Sequence, residues 1–378
     1  MLYEISLPEE KTLLKNLEKR TDTEALRMKR YLSMPDLSRT PGSPIYEIVE
    51  RILSQKDFKN FDIVKSPEIV PTDVSFDLYG FAADHPARSH SDTYFIDDKN
   101  LLRTHTTVMW YYYLQQSEIK KRMAAGETLG FFSFGKVYRK DEIDRNHMNV
   151  FHQMDGGFFI PKNKKVITVE DLKKVLTDIA KAVFGPDIKY RFNPDTFPYT
   201  DPSLEMEVEI NGRWIEVLGC GIMTDNLVRN LGLDPAKWSN WAFGFGLERL
   251  AIISMDLPDI RLLWSDDERV KKQLKLGHKF VEVSKYPPII RDISFVVKND
   301  FIPNDYFDFV REIAPGLVEE VKLLDKYENK EKFGEGKISY AYRIIYRSLE
   351  KTLTASEIDI IHKKLEKETT KIFGGVVR

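Results

Sequence analysis

The spacing of apolar residues along the first part of the chain changes from helical to strand-like. Residues 6–34 are polar apart from leucines that recur at helical spacing, which predicts a helix with one apolar face. Ser43 and Pro44 form a favourable helix start, because a serine side chain caps the first turn and proline suits the first helical position. A helix is therefore predicted over Ile45–Leu53, and residues 61–159 are rich in strand-like segments broken by proline, glycine and aspartate.

The middle of the chain predicts one long helix and a series of paired strands. The helix covers Val169–Phe184 and is followed by a glycine–proline pair that ends it. Asn211–Gly212 separates two strand-like segments and is a strong signal for a tight hairpin turn. The predicted strands lie at 188–193, 204–210, 213–218 and 241–246, and the last of them leads into a helix at 247–255.

The last part of the chain repeats a compact pattern of its own. The order strand, helix, strand, strand, helix, strand is typical of a ferredoxin-like fold. A proline-containing segment at 284–288 is the predicted hinge into it. The strands are predicted at 289–297, 317–327, 338–346 and 373–377, and the helices at 304–313 and 355–370.

Composition narrows the class of protein. The 378 residues are enough for two domains, and 42% apolar with 31% charged residues is typical of a globular chain with a core. The net charge of −2 gives no general attraction for nucleic acid, so an RNA partner would need local basic patches. The single cysteine, Cys220, excludes an internal disulfide. We expect no zinc, because the sequence lacks a Cys/His metal set. We also expect no organic cofactor.

The sequence predicts neither membrane insertion nor export. No apolar segment approaches the ~18 residues of a membrane-spanning helix. The N-terminal segment contains Glu4, Glu9 and Glu10 and lacks an apolar stretch, which argues against a secretory signal and an acid-poor transit peptide. A cytoplasmic location is predicted, with an organellar matrix as the alternative if a targeting segment has been removed.

Arg139 and Phe151 are the first candidates for ligand binding. Arg139 ends a predicted strand, a polar loop containing Asp141 and His147 follows, and Phe151 begins the returning strand. A guanidinium offers a fixed fork of donors that suits phosphate oxygens, and a phenylalanine ring can stack on a planar base. A surface hairpin with an exposed arginine remains the alternative for this segment.

Arg249 is the second candidate for phosphate binding. It lies in the first turn of a predicted helix, directly after the glycine-containing segment 244–246. Small residues allow close approach of a ligand, and the helix dipole favours an anion there. Such junctions are common, so tight packing with a surface ion pair is the alternative. Together, Arg139 and Arg249 suggest a clamp for ATP in adenylate formation, a reaction that needs mainly positioning and charge stabilisation.

In order along the chain, these segments resemble the motifs of class II phenylalanyl-tRNA synthetases. The resemblance rests on HPAR at 85–88, RTHT at 103–106, VYRKD at 137–141, FHQ at 151–153, WIEVLGCG at 214–221 and GFGLERL at 244–250. It is nearest to the single-chain, organellar-type enzyme with a fused C-terminal anticodon-binding domain of ferredoxin fold. The implied fold class is α+β, in which an antiparallel sheet flanked by helices precedes a β-α-β-β-α-β domain.

The resemblance also implies domain boundaries, substrates and partners. The domains expected are an N-terminal helical extension at 1–42, a catalytic domain at 43–283 and an anticodon-binding domain at 284–378. The substrates implied are ATP with Mg²⁺, phenylalanine and tRNA(Phe). We expect a monomer without a second subunit and without an editing domain, and no membrane partner.

Roles for individual residues follow from the same resemblance. Arg139 is expected on the α-phosphate, Arg249 on the outer phosphate, Phe151 under adenine, and Asp141 and His147 near the nucleotide. The residues expected around the amino acid are His105, Thr107, Gln153, Asp155, Phe197, Tyr199, Ala242 and Gly244. Glu216 is a candidate Mg²⁺ ligand, with an ion pair to an arginine as the alternative. Phe197 and Tyr199 have a core role as alternative, and His85 and His152 are assigned no proton transfer.

Four positions depart from the pattern of the family. Thr107 replaces a serine, Trp110 a glutamine, Asp155 a glutamate and Tyr199 a phenylalanine. All four belong to the expected amino-acid site. A coordinated repacking and an altered specificity both remain open, and the buried hydroxyl of a tyrosine would need a partner.

The C-terminal segment contains two basic groups and a set of tyrosines that bear on tRNA binding. The first basic group is Lys326, Lys330, Lys332 and Lys337, and the second is Arg343, Arg347 and Lys351. For both groups a solvated charged face is the alternative. Tyr340, Tyr342 and Tyr346 share one face of a strand, where they either stack on bases or form the core under the helices.

Three further functions compete with phenylalanine–tRNA ligation. One is a related ligase for another aromatic amino acid, and one is a non-catalytic tRNA-binding paralogue. The third is an ATP-dependent carboxylate ligase that acts on a cofactor acid, which the appended C-terminal domain disfavours. Retention of both arginines disfavours loss of catalysis.

Overall fold

A computed structural model describes residues 1–378 and divides into two compact units. The first unit is Met1–Phe280 and the second is Val281–Arg378. The predicted hinge at 284–288 begins a few residues after this division. None of the helices combines the length and apolar character that crossing a membrane requires.

The first unit contains ten strands and ten helices, apart from short 3₁₀ turns. Its strands are β1 (Leu2–Glu4), β2 (Asp62–Lys65), β3 (Ile69–Pro71), β4 (Asn100–Leu102), β5 (Leu129–Tyr138), β6 (Val150–Pro161), β7 (Tyr190–Phe197), β8 (Thr200–Ile210), β9 (Arg213–Met223) and β10 (Trp238–Gly246). Its helices are α1 (Pro8–Lys19), α2 (Thr23–Ser33), α3 (Pro44–Leu53), α4 (Thr72–Ser75), α5 (Val108–Leu114), α6 (Ser117–Ala124), α7 (Val169–Phe184), α8 (Asp225–Asn230), α9 (Leu247–Met255) and α10 (Glu268–Lys271).

An eight-stranded sheet is the framework of this unit. Its strand order is β1-β2-β5-β6-β10-β9-β8-β7, and β3 pairs separately with β4. From β5 to β7 every pair is antiparallel, as predicted, whereas β1 and β2 join the β5 edge in parallel. Every residue of β5 is buried, so this strand lies at the centre of the packing. The sheet thereby brings β6, β9 and β10 side by side.

Short sequence signals that predict where a helix or turn begins or ends are confirmed. The Ser43 side chain accepts a hydrogen bond from the Ile45 N–H at the start of α3. Helix α7 covers Val169–Phe184, as predicted. At the hairpin between β8 and β9, Asn211 and Gly212 both have positive φ, at 51° and 75°. Such a turn matches the twist of antiparallel strands, which explains the preference for these two residues.

Two predictions of secondary structure were wrong, one of a helix and one of a strand-rich segment, and both errors have a physical cause. The predicted helix at 6–34 is two helices, because Asp22 caps α2 by accepting from the Ala25 N–H and so starts a new helix. The strand-rich segment 61–159 contains helices α4, α5 and α6. Helix α5 is buried on almost all sides, so its apolar sequence has no helical period.

The second unit has the predicted β-α-β-β-α-β order, with one additional four-residue helix between its second and third strands. Its elements are β11 (Ile289–Lys298), α11 (Pro303–Ile313), β12 (Val318–Glu328), α12 (Lys330–Phe333), β13 (Lys337–Tyr346), α13 (Ala355–Phe373) and β14 (Val376–Val377). The sheet order β12-β13-β11-β14 is antiparallel throughout and is that of a ferredoxin-like fold.

The tyrosines of β13 belong to the core of the second unit. Tyr340, Tyr342 and Tyr346 are at most 3% exposed and pack with residues of α11 and α13. Base stacking by these three rings is therefore excluded, and the core alternative is correct. Alternation along β13 places its smaller and charged side chains on the opposite face of the sheet.

Candidate functional site

One cavity of about 560 Å³ lies against β6, β9 and β10 of the large sheet. All fourteen predicted site residues line it. They are His105, Thr107, Arg139, Asp141, His147, Phe151, Gln153, Asp155, Phe197, Tyr199, Glu216, Ala242, Gly244 and Arg249. These residues are spread over seven segments of the chain, and the order of strands in the sheet brings them together.

Asp155 is a buried carboxylate at one end of the cavity, which we call the anchor end. Thr106 Oγ1 donates to Asp155 Oδ2, and Thr107 Oγ1 donates to Oδ1 at 3.0 Å. Burial raises the pKa of Asp155 to about 6, although both hydroxyl bonds act in the opposite direction. Gly244 lies opposite, where an added Cβ would be 2.6 Å from Oδ1. Glycine is therefore required at this strand position.

Gln153 and His105 complete the polar lining of the anchor end. Gln153 Oε1 accepts from the Thr106 N–H at 3.2 Å. His105 Nε2 lies 2.9 Å from the Ser75 carbonyl oxygen, which can only accept, so Nε2 carries the proton. Burial lowers the pKa of His105 to about 4. His105 is therefore neutral at pH 7, with an unprotonated Nδ1 that has no partner.

Aromatic rings form the wall beside the anchor end. Phe197 and Tyr199 are stacked with centroids 6.0 Å apart, and Tyr199 lies 6.3 Å from Tyr79. Tyr79 was not predicted, although it lines the cavity and is 2% exposed. Its hydroxyl donates to the Thr107 carbonyl oxygen at 2.5 Å. No local motif marks this tyrosine, because its role depends on contacts between distant segments.

The four positions that depart from the family pattern are linked in space. The Tyr79 ring lies 6.1 Å from Trp110, in an edge-to-face arrangement, and also contacts Tyr199. The hydroxyl of Tyr79 holds Thr107, and Thr107 in turn donates to Asp155. Trp110 is 1% exposed and lines the cavity beside Tyr79. The departures therefore form one packed group around Tyr79, the geometry expected of a coordinated repacking.

Arg139 and Phe151 lie together at the other end of the cavity, which we call the phosphate end. Arg139 Nε donates to the Thr104 carbonyl oxygen at 3.1 Å, and its guanidinium lies 5.2 Å from the Phe151 ring centre. Burial lowers the pKa of Arg139 from its usual value, an environment in which an anionic ligand is attracted strongly. Asp141 and His147 lie on the exposed loop after Arg139.

Arg249 and Glu216 lie on the rim of the phosphate end. Arg249 Nη1 is 3.5 Å from Glu216 Oε2, and the side chains of both residues are about half exposed. Of the two alternatives for Glu216, the ion pair with an arginine is the one that the structure contains. An exposed pair of this kind contributes little to stability. It leaves the guanidinium available to an incoming polyanion.

His152 and Glu248 form a buried pair behind the phosphate end. Glu248 is 2% exposed and accepts from the His152 N–H and from Nδ1, the latter at 2.6 Å. His152 Nε2 accepts from the Leu37 N–H at 2.9 Å, so Nδ1 carries the ring proton. His152 is thus a structural histidine, in agreement with its assignment. Glu248 was missed, because its partner is 96 residues away in sequence.

Replacing Glu248 by alanine is expected to lower the free energy of unfolding of the first unit by about 3 kcal/mol. The replacement leaves two buried N–H donors of His152 without an acceptor. All five tryptophans lie between residues 110 and 264, so urea unfolding followed by tryptophan fluorescence reports this unit alone. The control is Glu50→Ala, an exposed position on helix α3 of the same unit. A loss as small as that of the control would contradict the assigned role of Glu248.

Comparison with known proteins gives matches over both units. Residues 31–274 match the family model described as the tRNA synthetases class II core domain (F), and residues 284–378 match the ferredoxin-fold anticodon binding domain. The chloroplastic/mitochondrial phenylalanine–tRNA ligase of Arabidopsis thaliana is 41% identical over 338 residues, which covers 86% of this chain and 74% of the relative.

Two further relatives are a mitochondrial ligase and the alpha subunit of a ligase. The mitochondrial phenylalanine–tRNA ligase of Mus musculus is 36% identical over 345 residues, or 82% of this chain and 73% of the relative. The phenylalanine–tRNA ligase alpha subunit of Vibrio cholerae is 38% identical over 233 residues, or 61% of this chain and 67% of that subunit. The chain therefore belongs to the phenylalanine–tRNA ligase family of class II aminoacyl-tRNA synthetases.

Proposed function

We propose that this protein is an ATP-dependent phenylalanine–tRNA ligase. It forms phenylalanyl-adenylate and then transfers the phenylalanyl group to the 3′-terminal adenosine of tRNA(Phe). The observation that carries the proposal is a single cavity with a buried carboxylate at one end and two arginines at the other. Such a cavity suits a zwitterionic amino acid and a nucleoside triphosphate whose reacting atoms meet between the two ends.

The amino acid binds at the anchor end. Asp155 and Gln153 hold the ammonium group, and Thr107 keeps Asp155 oriented. The phenyl ring lies among Phe197, Tyr199, Ala242 and Gly244. Neutral His105 lies beside the reacting carboxylate without adding a competing positive charge.

ATP binds at the phosphate end. Adenine stacks on Phe151, with Asp141 and His147 at its edge, while Arg139 holds the α-phosphate and Arg249 the outer phosphate. The carboxylate of phenylalanine attacks the α-phosphorus, and the bond to the departing pyrophosphate breaks. Charge that grows on the phosphate oxygens is stabilised by the two guanidinium groups, so no general base is needed.

Glu216 is the residue that would hold Mg²⁺. The ion binds nucleotides through one or two carboxylates together with the phosphates, and a single rim carboxylate fits that pattern. The structure contains no group of three or more His, Cys, Asp or Glu side chains that could hold a metal ion, so phosphate oxygens and water would supply the remaining ligands. Magnesium would neutralise phosphate charge, and in its presence Glu216 would exchange its pairing with Arg249 for the ion.

The decisive test is amino-acid-dependent exchange of pyrophosphate into ATP, measured with each of the twenty amino acids. We expect phenylalanine to give the highest kcat/KM. A higher value for tyrosine or tryptophan would assign the protein to another aromatic amino acid, the alternative that the hydroxyl of Tyr199 keeps open. Absence of exchange with every amino acid would indicate a non-catalytic tRNA-binding paralogue.

The pH dependence of amino-acid use is expected to follow the ionisation of Asp155. Because burial raises its pKa to about 6, the binding-competent carboxylate is mostly present at pH 7 and is lost on acidification. At saturating ATP, kcat/KM for phenylalanine should fall about tenfold from pH 7 to pH 5. A profile that stays flat over this range would contradict the role of Asp155 in binding the ammonium group.

Binding of tRNA(Phe) is assigned to the second unit. Arg343, Arg347 and Lys351 pair with Asp292, Glu319 and Glu357, respectively. By contrast, Lys326, Lys330, Lys332 and Lys337 are exposed around the β12–β13 connection, where only Lys330 pairs with a carboxylate, at 3.4 Å. This lysine group is the better candidate for contacts to phosphates of tRNA.

Replacing these four lysines by glutamine is expected to raise KM for tRNA(Phe) about tenfold and to leave pyrophosphate exchange unchanged. The reason is that phosphate contacts act on tRNA alone, whereas exchange needs no tRNA. Aminoacylation measured at 50 and 200 mM salt should also show a weaker salt dependence in the variant. Equal loss of exchange and aminoacylation would contradict the assignment.

Domain boundaries, oligomeric state and compartment complete the proposed function. We propose domains at 1–42, 43–283 and 284–378, and a monomer that needs no second subunit. For the compartment, the names of the relatives favour an organellar matrix, with the cytosol as the alternative. Sedimentation and cell fractionation test these two points.

A further inference from the structure

The loop 140–149 begins and ends beside helix α2. This loop follows Arg139 directly, and Asp141, Asn146, His147 and Met148 line the phosphate end of the cavity. Its base is closed by a hydrogen bond from the Arg139 N–H to the Asn149 carbonyl oxygen at 3.1 Å. Helix α2 lies in the N-terminal segment, for which the sequence alone gave no role.

Asn149 joins both ends of this loop to α2. Its Nδ2 donates to the Arg139 and Asp141 carbonyl oxygens at 3.1 and 2.9 Å. Its Oδ1 accepts from the hydroxyl of Tyr31 at 2.9 Å. Arg30 Nη2 donates to the same hydroxyl at 3.3 Å, so the proton of Tyr31 is directed at Asn149. Tyr31 and Asn149 are each less than 10% exposed, so their hydrogen bonds fix the orientation of the Asn149 amide.

Lys140 forms a second link between the loop and α2. Its Nζ contacts Glu24 of α2 and donates to the His90 carbonyl oxygen at 2.7 Å. Its N–H donates to the Asp92 carbonyl oxygen at 2.8 Å. Two successive residues are therefore linked to α2: Arg139 by way of Asn149, and Lys140 directly.

Helix α2 is itself held firmly to the sheet. Lys136 of β5 is buried and donates to the Leu32 and Met34 carbonyl oxygens at the end of α2, both at 2.8 Å. A positive charge at this position also opposes the negative end of the helix dipole. Because Lys136 lies three residues before Arg139, strand, helix and loop form one connected support.

We propose that α2 positions the ATP-binding loop, with Tyr31 and Asn149 as positioning residues for adenylate formation. This inference rests on the proposed function. Neither residue lines the cavity, so both act through Arg139 and the loop. The anchor end is held by other bonds, those of Asp155 with Thr106 and Thr107. Loss of the Tyr31 hydroxyl should therefore affect ATP and spare phenylalanine.

The test is Tyr31→Phe in the full chain, assayed by pyrophosphate exchange. We expect KM for ATP to rise roughly three- to tenfold, as for loss of one hydrogen bond with its acceptor left buried, and KM for phenylalanine to stay unchanged. The matched control is Tyr113→Phe. Tyr113 is also buried and donates to a single side chain, Asp62, at 2.7 Å, but it does not contact the loop or the cavity.

A second measurement is independent of activity. Arg145 is exposed in the loop, so trypsin cleaves after it whenever the loop opens. We expect faster cleavage at Arg145 in Tyr31→Phe than in the wild type or in Tyr113→Phe, at equal melting temperatures. Asn149→Ala should show a larger increase of the same kind, because it removes the links to both loop ends.

The outcomes separate the two proposals. Wild-type protein that lacks exchange with every amino acid refutes the proposed function, whatever the cleavage rates show. Active wild-type protein, with Tyr31→Phe equal to Tyr113→Phe in KM for ATP and in cleavage, refutes the positioning role. Equal increases of both KM values also refute it, because they indicate a general loss of structure.

Discussion

Arg249→Ala is expected to lower the rate of pyrophosphate exchange by about 10²–10³-fold while the protein stays folded. The guanidinium is about half exposed, and its only ion pair is with Glu216, at 3.5 Å. Its loss therefore costs little stability. During the reaction, however, negative charge grows on the phosphate oxygens of ATP, and a positioned guanidinium stabilises this charge more than it stabilises the ground state.

The measurement is kcat for exchange at saturating ATP and phenylalanine, together with the melting temperature. Arg229→Ala is a suitable control, because Arg229 is also exposed on a helix and pairs with one carboxylate, Asp225, at 3.5 Å. We expect wild-type activity for the control and equal melting temperatures for both variants. Exchange by Arg249→Ala within a factor of a few of wild type would remove Arg249 from the reaction.

Asp155→Asn is expected to lower kcat/KM for phenylalanine about 100-fold or more, the second large effect. The variant keeps the size of the side chain but removes the only negative charge that faces the ammonium group, and an unpaired buried charge costs several kcal/mol. It also presents an amide NH₂ to one of the two threonine hydroxyls that now donate to the carboxylate.

KM for ATP in the same variant is the internal control, since Asp155 lies at the opposite end of the cavity from the proposed triphosphate. We expect it to change less than threefold. The acidic limb of the pH profile should also disappear, because the titrating carboxylate is gone. A variant that retains wild-type kcat/KM for phenylalanine would show that the ammonium group binds elsewhere.

Features that depend on neighbouring residues were predictable from the sequence. The serine cap of α3, the ends of α7 and the Asn211–Gly212 turn each follow from a few adjacent residues. The motif residues also converge on one cavity, as expected from their family resemblance. The ferredoxin-like order of the second unit followed from alternating strand and helix patterns.

Features that depend on contacts between distant segments were not predictable. The sequence shows nothing that pairs Glu248 with His152, or Tyr31 with Asn149, which are 96 and 118 residues apart. Helix α5 was mistaken for strand because burial on all sides removes the polar face that identifies a helix. For Tyr340, Tyr342 and Tyr346, alternation gave the shared face but not which face the helices cover.

The Glu248–His152 pair has a consequence for the cost of binding a nucleotide. Glu248 immediately precedes Arg249, and His152 lies between Phe151 and Gln153. One buried contact therefore fixes strand β6 relative to helix α9, the two elements that carry the proposed base-stacking and outer-phosphate residues. The span between the two is set before ATP arrives. The exposed side chains of Asp141, His147 and Arg249 remain to be ordered on binding. The conformational entropy of placing this strand and helix relative to each other has therefore already been lost during folding.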